Sequence, residues 1–178
     1  MPNPTTSTPP LGSDPRSLNF YAVAVALGVK LAVDAVPDAA VAFGFMRPAA
    51  RLAALYLGAA FDPVGLTVSA RGVTLAVVRA CSATDFFSMV FALLVFALPV
   101  RRLVFRVPAA LAAAWFVAVL ANGMRLVLLV YADGFCPAAQ IPAVHMAIGI
   151  VVFLPVFALL WYTFVNRKET PHGNRAAE

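Results

Sequence analysis

Three apolar stretches of this chain hold a single Asp, Glu, Lys or Arg between them, and that decides its class before any motif is read. They are Phe86 to Leu98, closed by Pro99, then Val107 to Ala132, and Val144 to Val165, and the one charged residue is Arg125. The latter two exceed the roughly 20 residues needed to cross about 30 Å of hydrocarbon. With 62% hydrophobic and 12% charged residues, and a mean hydropathy of +0.89, the chain carries more apolar surface than a soluble core hides. It reads as an all-α integral membrane protein, a small helical bundle of about four to five transmembrane helices. At 178 residues there is room for one such bundle, over residues 18–166, and for no separate soluble domain.

The net charge of +5 is concentrated in short clusters beside the apolar runs. That is topology information rather than a nucleic-acid surface, and no nucleic-acid motif appears. Arg101, Arg102 and Arg106 separate the first two runs, and Arg167 and Lys168 follow the last. The positive-inside rule puts both clusters in the cytoplasm, with residues 167–178 as a basic cytoplasmic tail, and turns Cys81, the loop around Cys136 and His145 outward. Residues 1–17, rich in Pro, Ser and Thr, read as a disordered cytoplasmic tail. The run Leu18 to Val36 is longer than a signal-peptide core and contains Lys30 and Asp34, so it reads as a retained first helix on which those two residues pair at i,i+4. Pro108 falls near the first turn of its helix, and Pro155 is placed to kink the last one.

Orientation then constrains Ala39 to Phe61. If the first helix leaves the cytoplasm and Cys81 lies outside, this stretch cannot also cross. Arg47 and Arg51 share one face, opposite Leu52, Leu55 and Ala59, which suits an amphipathic helix in the outer interface. The rival is a fifth span with the N-terminus outside. From Gly65 to Arg79 the period changes to two: Leu66, Val68 and Ala70 alternate with polar residues, and Val73, Leu75 and Val77 alternate after Gly72. This predicts a β-hairpin turning at Arg71 and Gly72 and leading straight into Cys81.

Cys81 heads the polar island CSATD. Ser82 and Asp85 have the spacing of a capping box, which predicts a helix beginning at Ser82, and the unpaired N–H groups of a helix start favour a thiolate. The competing reading is a small buried apolar side chain. Arg125 lies eight residues before Asp133, hence about 12 Å below the outer end, where an unpaired guanidinium costs at least about 2.5 kcal/mol. It must face the interior or snorkel, with Asp34 or Asp85 as candidate partners. Asn122, three residues earlier, shares its face and is placed to bond the guanidinium or a substrate carbonyl. His145 stands at the outward mouth of the last run. Together Cys81, Arg125 and His145 supply a nucleophile, an electrophilic donor and a proton shuttle, the set that thiol acyl transfer needs. Two Cys and two His at these separations match no metal-ligand spacing, and no cofactor is expected.

The order of an outward hairpin, CSA leading a helix, NGMR late in the next, and His at the head of the last resembles the exosortase/archaeosortase family of membrane cysteine transpeptidases. CSATDFFSMVF and HMAIGIVVF look most like its exosortase K group, and the resemblance covers roughly Ala49 to Phe164. It implies that Cys81, Arg125 and His145 are the catalytic set, supported by Asn122, Ser82 and Asp85. It also implies a bacterial inner-membrane location with an outward-facing site. The substrate would be a membrane-anchored protein bearing a C-terminal sorting signal: a short motif, a transmembrane helix and a basic cluster. Two positions depart from the family pattern, Ala83 where Gly is usual after Cys-Ser, and Met146 where Arg is expected after the His. Two other functions stay open. One is a membrane thiol-disulfide oxidoreductase using Cys81 and Cys136, against which stands the lack of a CxxC pair. The other is a non-enzymatic assembly subunit, which leaves Arg125 without a purpose.

Overall fold

A computed structural model describes residues 15–97, 103–133, 135 and 141–164. The expected basic clusters at Arg101–Arg102 and Arg167–Lys168, residues 1–14 of the tail, and Cys136 lie outside the described residues.

Five helices and a three-stranded sheet follow in the order α1 (Pro15–Asp34), α2 (Asp38–Leu57), β1 (Ala60–Asp62), β2 (Thr67–Ala70), β3 (Val73–Ala76), α3 (Thr84–Ala97), α4 (Leu103–Asp133) and α5 (Ile141–Phe164). Among the described residues, Asp38–Leu57, Arg106–Asp133 and Pro142–Thr163 are long and apolar enough to cross a membrane, and Thr84–Phe96 is a shorter apolar helix. The chain is a multi-pass helical membrane protein. The first helix begins earlier than its apolar run, at Pro15, and ends at Asp34. Pro108 and Pro155 both lie inside continuous helices.

Helix α4 is the hub, packed against α2, α3 and α5, while α1 packs on α3. Its buried stripe is built of Ala110, Ala114, Ala118 and Ala121, small residues that let neighbouring backbones approach where no hydrophobic force drives helices together in lipid. On another face Gly123 meets α2, whose own buried face is Ala49, Ala50, Ala53 and Ala54. A Cβ added at Gly123 would lie 3.2 Å from Leu52 Cβ and 3.3 Å from the Ala49 carbonyl oxygen. The large side chains of α2, Leu55 and Tyr56, are exposed.

Helix α2 contains one wider π-helical turn, Ala42–Met46, and within it the Gly44 carbonyl accepts the Trp115 indole N–H at 2.7 Å. Its two ends are fixed by different devices. At the start, the Arg79 guanidinium pairs with Asp38 and donates to the carbonyls of Val36 and Asp34, each at 3.4 Å. At the end, Gly58 adopts φ 59°, and the Ala59 and Gly58 amides donate back to Ala54 (2.8 Å) and Leu55 (3.4 Å). This is a Schellman cap, in which left-handed glycine satisfies the last carbonyls.

The hairpin forms where alternation placed it. Ala70 pairs with Val73, and Arg71 and Gly72 at φ 55° and 81° make the two-residue turn. Positive φ at both positions is the type I′ geometry whose twist matches paired strands. Strand β1, which the sequence reading lacked, adds antiparallel to β2. Its last residue, Asp62, accepts the amides of Val64 (2.9 Å) and Gly65 (3.0 Å), which turns the chain. Val68 and Val77 are buried under the sheet, in one apolar cluster with Cys81 and Leu126.

Candidate active site

A short 3-10 turn, Arg79–Cys81, carries the chain from the sheet into α3. The Cys81 amide donates to Val78 (2.7 Å) and the Ser82 amide to Arg79 (2.9 Å). Cys81 is a free thiol and only 2% exposed. Its carbonyl accepts a hydrogen bond from the Asn122 side-chain amide of α4. Asn122 is fully buried, and its Oδ1 has no hydrogen-bond partner among the described residues.

The helix does not begin at Ser82. It begins at Thr84, and the first carbonyl of the ladder belongs to Ala83, which accepts the Phe87 amide at 2.9 Å. Ser82 instead shares a hydrogen bond with the Thr84 hydroxyl (3.1 Å). Asp85, the expected return arm of a capping box, turns outward and pairs with Lys30 at 3.1 Å. The thiol therefore precedes the helix by a tight corner rather than sitting in its first turn. That corner is made by Ala83 at φ 58°, a left-handed conformation that costs an L-residue about 1–2 kcal/mol. The usual Gly of the family pattern is the residue this backbone suits. We expect Ala83→Gly to stabilise the fold by about 1 kcal/mol, read as a higher unfolding midpoint in detergent micelles. A lower midpoint would show that the methyl group contributes more than the backbone conformation costs.

Arg125 lies one turn beyond Asn122 on α4. The carboxylates proposed as its partners, Asp34 and Asp85, are both taken by Lys30, so the expected i,i+4 pair of α1 exists and is joined by a second acid from α3. Arg125 instead faces a cavity of about 430 Å³ between α3 and α5. Its guanidinium carbon stands 5.7 Å from the centre of the Phe153 ring, and its Nε is buried without a partner among the described residues. Gly149 makes the room: a Cβ there would be 3.6 Å from that Nε. The floor is apolar, with Phe86 stacked on Phe153 at 4.4 Å between ring centres, while Arg79 and Asp85 stand at its rim. None of Gly149, Phe86, Phe153 or Arg79 was singled out from the sequence. Gly149, one turn after His145, was the one with a visible signal.

His145 is half-buried, one turn from Gly149 and close enough to feel the charges of Arg125 and Asp133. Its neighbour Met146 lines the cavity, as does Ser82 beside Cys81. Of the three candidates only Arg125 lines this cavity; Cys81 and His145 each precede a residue that does, Ser82 and Met146, and among the described residues no hydrogen bond joins the three side chains.

No curated protein and no solved structure matches the chain. Residues 23–162 match the family model described as transmembrane exosortase (Exosortase_EpsH). That span holds all five helices in whole or part, the sheet, the Cys81 corner and the Arg125 cavity, and so the chain is a membrane protein of the transmembrane exosortase family.

Proposed function

We propose that the chain is a membrane-embedded cysteine transpeptidase that cleaves a C-terminally anchored protein just outside its transmembrane helix. The observation that carries this reading is the Asn122 bond to the Cys81 carbonyl. It fixes the backbone of the only described cysteine one helical turn from an arginine that faces a cavity. In the reaction, Cys81 Sγ as thiolate attacks the scissile carbonyl carbon. Arg125 donates to the developing oxyanion, and His145 delivers the proton to the departing amine as the C–N bond breaks. An acceptor amine or water then attacks the thioester carbonyl carbon, giving a proton to His145, and the C–S bond breaks so that Cys81 leaves as thiolate again. Because Cys81 is covered, its surroundings must move aside when substrate binds.

A covalent test follows from the thioester. Neutral hydroxylamine applied to the chain captured during turnover should release a protein fragment ending in a hydroxamate. Release of the same fragment from Cys81→Ala would overturn the mechanism.

The topology that fits is four spans, α1, α3, α4 and α5, with α2 in the outer interface of a bacterial inner membrane. Its support is that the two ends of α2 meet the chain on either side of the sheet, Asp38 through Arg79 after it and Leu57 just before β1. The bundle then has the sheet outside and the N-terminal tail inside. In intact cells an impermeant thiol reagent should label Ser69→Cys and spare Ser7→Cys and Arg102→Cys. Labelling at Ser7→Cys would make α2 a fifth span. The sequence runs at Cys81 and His145 favour the exosortase K group within the family.

A further inference from the structure

A second cavity, about 400 Å³, opens between α2 and α4. It shares no lining residue with the cavity at Arg125. Its walls are Leu52, Leu120, Met124, Val127 and Leu128, and Tyr56 and Tyr131 close one end. The groove exists because Gly123, which also lines it, has no side chain. A methyl group there would already press on Leu52. From Leu120 to Tyr131 the groove follows α4 for eleven residues, about 16 Å by the helical rise, close to half of a hydrocarbon core of about 30 Å. It has the length of one leaflet, and it carries a tyrosine from each helix, a residue type enriched where a membrane protein meets the interface.

The end marked by the tyrosines carries a fixed positive charge. The guanidinium of Arg71 lies over the Tyr131 ring, 4.5 Å from its centre. Arg71 occupies the first central position of the I′ turn at φ 55°, where Asn, Asp or Gly is preferred, so the hairpin tolerates an unfavourable residue here. Among the described residues no carboxylate pairs with it, whereas Lys30 and Arg79 are both paired. Stacking on the ring uses the face of the guanidinium and leaves its N–H edge for a planar fork of bonds to phosphate.

We propose that this groove is a phospholipid site of the leaflet on the sheet's side. One acyl chain lies along α4 between Leu120 and Leu128, and the phosphodiester sits on Arg71. The site is independent of the transpeptidase reading. Its test is native mass spectrometry of the full chain in detergent, titrated with palmitoyl-oleoyl phosphatidylglycerol and, as a probe without phosphate, palmitoyl-oleoyl glycerol. The native chain should bind one phosphatidylglycerol at least about tenfold more tightly than the neutral lipid. Arg71→Asn, which keeps a residue suited to the turn, should erase that preference, and Leu120→Trp should fill the groove and weaken both. Equal binding of the two lipids by the native chain, or undiminished phosphatidylglycerol binding by Arg71→Asn, would overturn the proposal. So would a lipid-free dimer that Leu120→Trp dissociates, since a second copy would then be the occupant.

Discussion

Cys81→Ala is expected to abolish loss of the C-terminal anchor from the substrate protein, while Cys136→Ser leaves it near the native rate. A thioester route uses one sulfur for both the attack and the acyl carrier, so removing it leaves no covalent path. A dithiol relay would instead need both cysteines, because each forms half of the disulfide that carries the electrons. The measurement is the set of C-terminal peptides recovered from membrane proteins of cells making each variant. A protein whose anchor persists only with Cys81→Ala identifies the substrate as well as the nucleophile. Equal loss in the two variants would remove the transpeptidase reading and favour the redox one.

Arg125→Lys should lower turnover by roughly 10²-fold or more, the size of effect seen when an oxyanion donor is removed. Lysine keeps the charge but not the planar fork, and its ammonium is more strongly hydrated, so it is a poor substitute in a cavity floored by Phe86 and Phe153. Because Arg125 makes no ion pair with Asp34 or Asp85, the variant should still accumulate in the membrane at the native level. Near-native turnover would reduce Arg125 to a charge whose geometry does not matter.

The local patterns that were legible are those in which a few consecutive residues determine the geometry. Alternation from Leu66 to Val77 with Arg71-Gly72 between the halves specifies a hairpin, because a side-chain period of two and a turn needing positive φ leave few alternatives. Strand β1 was not legible: three residues carry no period, and only pairing with β2 makes them a strand. The capping box at Ser82 and Asp85 had the right spacing and the wrong outcome. Lys30, far away in sequence, holds the Asp85 carboxylate, and Ala83 turns the corner instead.

The site divides in the same way. The burden of an intramembrane charge singled out Arg125 from its place inside an apolar run. What balances it did not follow, since a ring face at Phe153 and a missing side chain at Gly149 leave no polar signature to read. Asn122 was recognised by its helical spacing from Arg125. Its target, the Cys81 carbonyl, depends on how α4 meets the turn before α3.

On the proposed mechanism, that bond changes how tolerant the site is of motion in the bilayer. Helices in a small bundle tilt and slide as the membrane thins or thickens, and a nucleophile and an electrostatic donor on separate helices would drift apart with each adjustment. Here the Cys81 backbone is moored to α4 one turn from Arg125, so both are measured from the same short length of one helix. The bundle can breathe around them while their spacing travels with α4 as a unit.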